Sequence, residues 1–104
     1  MTVDLTIALK NFLDAEGRLV RYPAKHKVKL LALFYLTGKF ERGRVYSEKE
    51  VNQVLRNWHT FGDWAMLRRD LYDLRFLSRR ADGSEYWLEE QQPTFEDFGL
   101  DTSK

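Results

Sequence analysis

The segment Met66–Trp87, MLRRDLYDLRFLSRRADGSEYW, carries five arginines at positions 68, 69, 75, 79 and 80. A guanidinium is a planar, permanently charged fork of donors, suited to phosphate oxygens or to two acceptors on one base edge. Such a run can recognise a polyanion; the competing reading is a solvated surface that keeps a small fold soluble. At 100° per residue, Trp64, Leu67, Leu71 and Leu74 form one apolar stripe. Arg69 then lies opposite the core, with Ala65, Met66, Tyr72 and Asp73 beside it, so Arg69 and Tyr72 are expected nearest to DNA bases. Asp63, Asp70 and Asp73 outnumber Arg68 and Arg69, and Asp73 is spaced for an ion pair with Arg69. Arg79 and Arg80 fall in an alternating segment where one of the two must point outward. They are candidates for phosphate contact, or for charges that guard a strand edge.

Two further groups bear on partners. Lys25, Lys27 and Lys29 open a helical segment, where cations oppose the helix dipole at a cost of roughly 0.3–1 kcal/mol each. They are candidate phosphate contacts, with plain solubility as the alternative. The tail EEQQPTFEDFGLDTSK sets five acids around Phe95, Phe98 and Leu100. These three apolar residues are expected to pack on the body or on a second copy of the chain. The aromatic group Trp58, His59, Phe61 and Trp64 could stack bases, but its spacing is better explained by closing the core of a turn.

Nothing in the sequence demands catalysis. There is no cysteine, hence no disulfide and no thiolate metal site. His26 and His59 are far apart and lack the spacing of a helical metal pair, and no glycine-rich phosphate loop or nucleophile motif is present. A non-catalytic protein without cofactor, metal or small-molecule substrate is expected.

Charge is unevenly spread. Residues 1–46 hold nine Lys/Arg against four Asp/Glu (net +5), residues 47–88 seven of each, and residues 89–104 one against five (net −4). The whole chain is only +1 over 104 residues, less basic than many nucleic-acid binders. The first 17 residues lack a basic region and a continuous apolar core, so no signal peptide is expected. The longest apolar run, LLALFYL, is far short of the roughly 20 residues a membrane span needs. No membrane partner and a cytoplasmic location follow as expectations.

The elements that must position these residues can be read from periodicity. Leu5, Ala8, Leu9 and Phe12 predict a helix over about residues 4–13. Gly17 turns the chain into a short extended piece, Leu19 to Tyr22. Pro23 is placed in the first turn of a second helix that runs to about Thr37 and stops at Gly38. Val45-Tyr46 reads as a short strand. Ser47 and Glu50 form a capping box for a third helix with Val51, Val54, Leu55 and Trp58 on its apolar face. Asp63 caps a fourth helix to about Leu74, and residues 76–88 read as a hairpin turning at Asp82-Gly83. The expected architecture is α+β, mainly helical: a winged helix-turn-helix over residues 1–88. It has an extra N-terminal helix (1–14), a recognition helix (63–75) and a C-terminal β-hairpin wing (76–88), followed by an acidic tail (89–104).

The stretches GRLVRYPAKHKVK, YSEKEVNQVL and DWAMLRRDLYDLRFLSRRADGSEYW resemble a bacterial domain-of-unknown-function family found in hypothetical proteins and transcriptional activators. The resemblance runs roughly from Gly17 to Trp87 and is most specific after Leu67. It implies a winged-helix-like fold and a link to transcriptional regulation, and it carries no ligand or activity. Duplex DNA is therefore the first expected partner. The alternative is a protein–protein interaction or effector module, or a homodimer, on the same scaffold.

Overall fold

In the computed structural model, which describes residues 4–100, the first segment departs from the expected helix. α1 spans only Leu5–Ala8, and a single 3-10 turn follows at Lys10–Phe12. Asp4 caps α1 by accepting the amides of Thr6 and Ile7. The break comes at Leu9, which is fully buried and whose carbonyl takes the Phe12 amide in a tight three-residue bond. Leu13 then leaves in extended form to bridge Leu19, while the Asp14 carboxylate accepts the amides of Glu16 and Arg18 to close the turn. A short isolated helix is marginal, so these tertiary contacts outweigh local propensity.

α2 spans His26–Thr37. Pro23 is buried and lies before the helix, not in its first turn, and Lys25 takes the N-cap position without a side-chain bond to the helix. Leu30, Ala32, Leu33, Tyr35 and Leu36 are buried, so α2 is the central helix of the core. Gly38 ends it in a right-handed conformation, φ −64°.

α3, Glu48–Asn57, starts at the expected capping box. The Ser47 hydroxyl accepts the Glu50 amide at 3.1 Å, and the Glu50 carboxylate accepts the Ser47 amide at 2.9 Å. Val51 and Leu55 bury its inner face. His59 then stitches the turn to α4, Trp64–Asp73. Its Nε2 accepts the Asp63 amide at 3.0 Å, so its Nδ1 carries the proton and donates to the Leu55 carbonyl. Asp63 caps α4 by accepting the Met66 amide, and Leu67 and Leu71 are fully buried beneath it.

α4 ends in a Schellman motif. The Phe76 amide reaches the Leu71 carbonyl, the Arg75 amide reaches Tyr72, and Arg75 holds φ +70° where glycine is the usual occupant. β1, Leu77–Arg79, and β2, Tyr86–Leu88, then pair antiparallel, with Leu77 opposite Leu88 and Arg79 opposite Tyr86. The connection is not a two-residue turn at Asp82-Gly83. Arg80 and Glu85 still pair, and residues 81–84 form the loop. Gly83 alone among them holds a positive φ, 75°, while the Asp82 carboxylate accepts the amide and hydroxyl of Ser84.

The strand expected at Val45-Tyr46 is a single residue. Tyr46 exchanges both backbone bonds with Tyr86 at 2.7 Å, on the side of β2 away from β1. The tail folds back on the body: Phe95 and Phe98 contact the Phe34 ring, Phe98 stacks on Phe76, and Leu100 is buried. Gln92 fastens it by donating to the carbonyls of Phe76 and Glu89. Residues 101–104 of the expected acidic tail lie outside the described residues.

Candidate nucleic-acid interface

With Leu67 and Leu71 turned inward, α4 carries Arg69 on its opposite, outward face. The Arg69 side chain is 81% exposed, with its Nε 3.6 Å from the Asp73 carboxylate one turn on. This is the ion pair that the spacing predicts. Arg68 lies on the flank toward α3: it donates to the Asn52 side chain and lies 3.9 Å from Glu48, both on α3.

The hairpin approaches one flank of α4. The Arg79 guanidinium sits 4.6 Å from the centroid of the Tyr72 ring. The hydroxyls of Tyr72 and then Tyr86 push its already high pKa further up, so the charge is permanent. Arg80, the next residue, turns to its own strand partner and meets Glu85 at 3.0 Å, which also raises its pKa. Thus Arg79 is presented on an aromatic support, while Arg80 is partly neutralised. Arg69, Tyr72, Asp73 and Arg79 share one open cleft of about 380 Å³ with Arg68 and Tyr86.

Of the three lysines, Lys29 is the one tied to the other flank of α4. Lys25 and Lys27 are exposed, and the Lys29 ammonium lies 4.9 Å above the Tyr22 ring. The Tyr22 hydroxyl donates to Asp70 on α4 at 2.7 Å; burial and then that bond push its pKa well up, so it stays protonated. On the helical wheel Asp70 lies on the flank opposite Arg68 and Tyr72. Lys29 and Arg79 therefore do not form one patch: they border the outward face of α4 from two sides.

Tyr22 is the linking residue that sequence reasoning passed over. The only signal for it was its place between two basic groups, Arg21 and Lys25–Lys29, in an otherwise short extended piece. The aromatic residues of the turn are occupied structurally. Arg56 lies 3.9 Å over Trp64, Lys39 lies 3.9 Å over Trp58, Phe61 stacks on Tyr22, and His59 is buried. Phe95 and Phe98 pack half-buried on the Phe34 ring, and Leu100 is buried. Among the described residues, no three His, Cys, Asp or Glu side chains are grouped to hold a metal ion. None of their helices is long and apolar enough to cross a membrane.

No curated protein and no solved structure matches the chain. The model of a family described as "Uncharacterized protein conserved in bacteria (DUF2087)" matches residues 18–88, from just after the first turn to the end of β2.

Proposed function

This chain belongs to the DUF2087 family, and on that premise we propose that it is a winged-helix domain that binds duplex DNA in transcriptional regulation. In this reading α3 and α4 are the helix-turn-helix, α4 is the recognition helix, and the β1–β2 hairpin is the wing. What supports it is the element order together with Tyr46, which adds a third, one-residue strand to the hairpin. The observation that carries it is the outward face of α4, with the Arg79 guanidinium over Tyr72 on one flank and Lys29, over the Tyr22 ring that bonds Asp70, on the other. A helix laid in a major groove has a phosphate backbone on each side, so cations on both flanks meet both strands.

The test is fluorescence anisotropy of labelled random duplex across a salt series. Four to six phosphate contacts give a slope of log affinity on log salt of roughly −4 to −5. Replacing Arg79 and Arg80 together by alanine reduces it by up to about 2. Absence of binding at low salt overturns the reading.

A second reading, a protein–protein interaction or effector module on the same scaffold, is favoured by one feature. An open groove of about 640 Å³ runs between Val45, which is 52% exposed, and Trp87 and Leu88, with Arg42 and Glu90 at its rim. An exposed apolar groove of this kind suits a protein partner.

A further inference from the structure

Resting on the DNA reading, we propose that Arg69 recognises a guanine in the major groove and that Asp73 is the positioning residue that aims it. Arg69 is the one arginine or lysine of α4 on the outward face, since Arg68 is engaged with Asn52 and Glu48 on α3. The Asp73 carboxylate makes its nearest approach at Nε, 3.6 Å away, and not at the two terminal nitrogens of the guanidinium. Those nitrogens form the end-on fork that matches the N7 and O6 acceptors of guanine. An ion pair at Nε biases the rotamers of a long side chain and leaves its terminal fork open to a base.

The charge balance separates this role from phosphate binding. Arg69 and Asp73 together are neutral, and a carboxylate placed beside a phosphate repels it. The pair therefore adds little to counterion release, which drives sequence-independent affinity. It does suit a base edge, where two directed donors matter more than net charge. Ala65, one turn earlier on the same face and exposed, keeps the helix surface low beside the arginine.

The test uses the full chain. A randomised duplex pool is selected on the protein, and the enriched site is remade with 7-deazaguanine at each enriched guanine in turn. 7-Deazaguanine removes N7 and keeps O6, so wild type is expected to lose about 5- to 10-fold in affinity at one guanine, part of the worth of one bidentate base contact. Arg69→Ala removes that discrimination, Arg69→Lys, which can still donate to N7 or O6, weakens it, and both leave the salt slope within about one unit of wild type. Asp73→Asn gives the signature of a positioning residue: it tightens binding to random duplex by removing an anion, and it reduces the guanine preference. Circular dichroism confirms that these surface variants fold. A guanine preference that survives Arg69→Ala, or an Asp73→Asn effect equal on both duplexes, overturns the assignment while the DNA reading stands. Failure of wild type to bind any duplex overturns both.

Discussion

The Arg79 guanidinium, on the hairpin, rests 4.6 Å from the centre of the Tyr72 ring, on α4. This contact sets the direction of the hairpin arginine that meets no carboxylate among the described residues, whereas its neighbour Arg80 meets Glu85 at 3.0 Å.

The two arginines are therefore expected to be unequal. Arg79→Ala lowers the magnitude of the salt slope by about 1 and weakens binding alike across DNA sequences. Arg80→Ala does less, and Glu85→Gln tightens binding by freeing Arg80. Tyr72→Phe retains the ring and preserves the Arg79 effect, whereas Tyr72→Ala removes a support worth about 0.5–1 kcal/mol at an exposed site. Anisotropy titrations of the five variants at two salt concentrations check the order; equal effects of Arg79→Ala and Arg80→Ala contradict it.

Arg75 pays a conformational penalty at φ +70° as the residue after the α4 C-cap. Arg75→Gly relieves it and is expected to stabilise the fold by about 0.5–1 kcal/mol, less than the full left-handed penalty because glycine also frees the unfolded chain. Urea unfolding at unchanged m-value measures this. A lower midpoint would mean that the arginine side chain contributes more than its backbone costs.

Gly17 is the opposite case. It holds φ +81°, and a Cβ there would stand 2.9 Å from the Tyr35 hydroxyl, which donates to the Gly17 carbonyl at 2.6 Å. Gly17→Ala therefore strains the backbone and displaces a hydrogen bond that ties the first turn to α2. The expected loss is about 1–3 kcal/mol, read as a lower urea midpoint. Gly43→Ala has a similar φ, +78°, and open space around it, so it serves as the strain-only control.

Acid should loosen the turns first. The Asp14 carboxyl is held below its ordinary value chiefly by the Arg18 amide, the Glu50 carboxyl by the Ser47 amide, and the Asp82 carboxyl by Ser84. Each is depressed in the folded state, so its contribution is present above the unfolded pKa of roughly 4 and is lost as pH falls through the folded value. Stability measured by urea between pH 6 and pH 2.5 should fall most steeply below pH 4. Asp14→Asn and Glu50→Gln should each flatten that fall. An unchanged profile in both variants would place the acid sensitivity elsewhere.

What was legible in the sequence was local. The Ser47–Glu50 box, the Asp63 cap and the Leu67–Leu71 stripe are written in adjacent residues, and the structure has them where spacing places them. The first helix failed because Leu13 and Leu19 pair across a turn closed by Asp14, a contact that periodicity does not register. The hairpin was found, but its loop type was not, since Asp82 uses its side chain and not its backbone to turn the chain. At the candidate interface, exposure of Arg69 and its pairing with Asp73 followed from helical geometry. The separation of Lys29 from Arg79 did not, because it depends on Tyr22 reaching Asp70 across 48 residues of sequence.

The bridge between Tyr46 and Tyr86 joins residues forty apart in the chain. Closing a loop of that length costs on the order of 3 kcal/mol of chain entropy, and α3 and α4 fill the interval. The hairpin's third strand is thus expected to close late in folding, after the two helices have brought its ends together. Once closed, it couples mechanically: a load on the hairpin passes through β2 to Tyr46 and then to Ser47, the residue that caps α3.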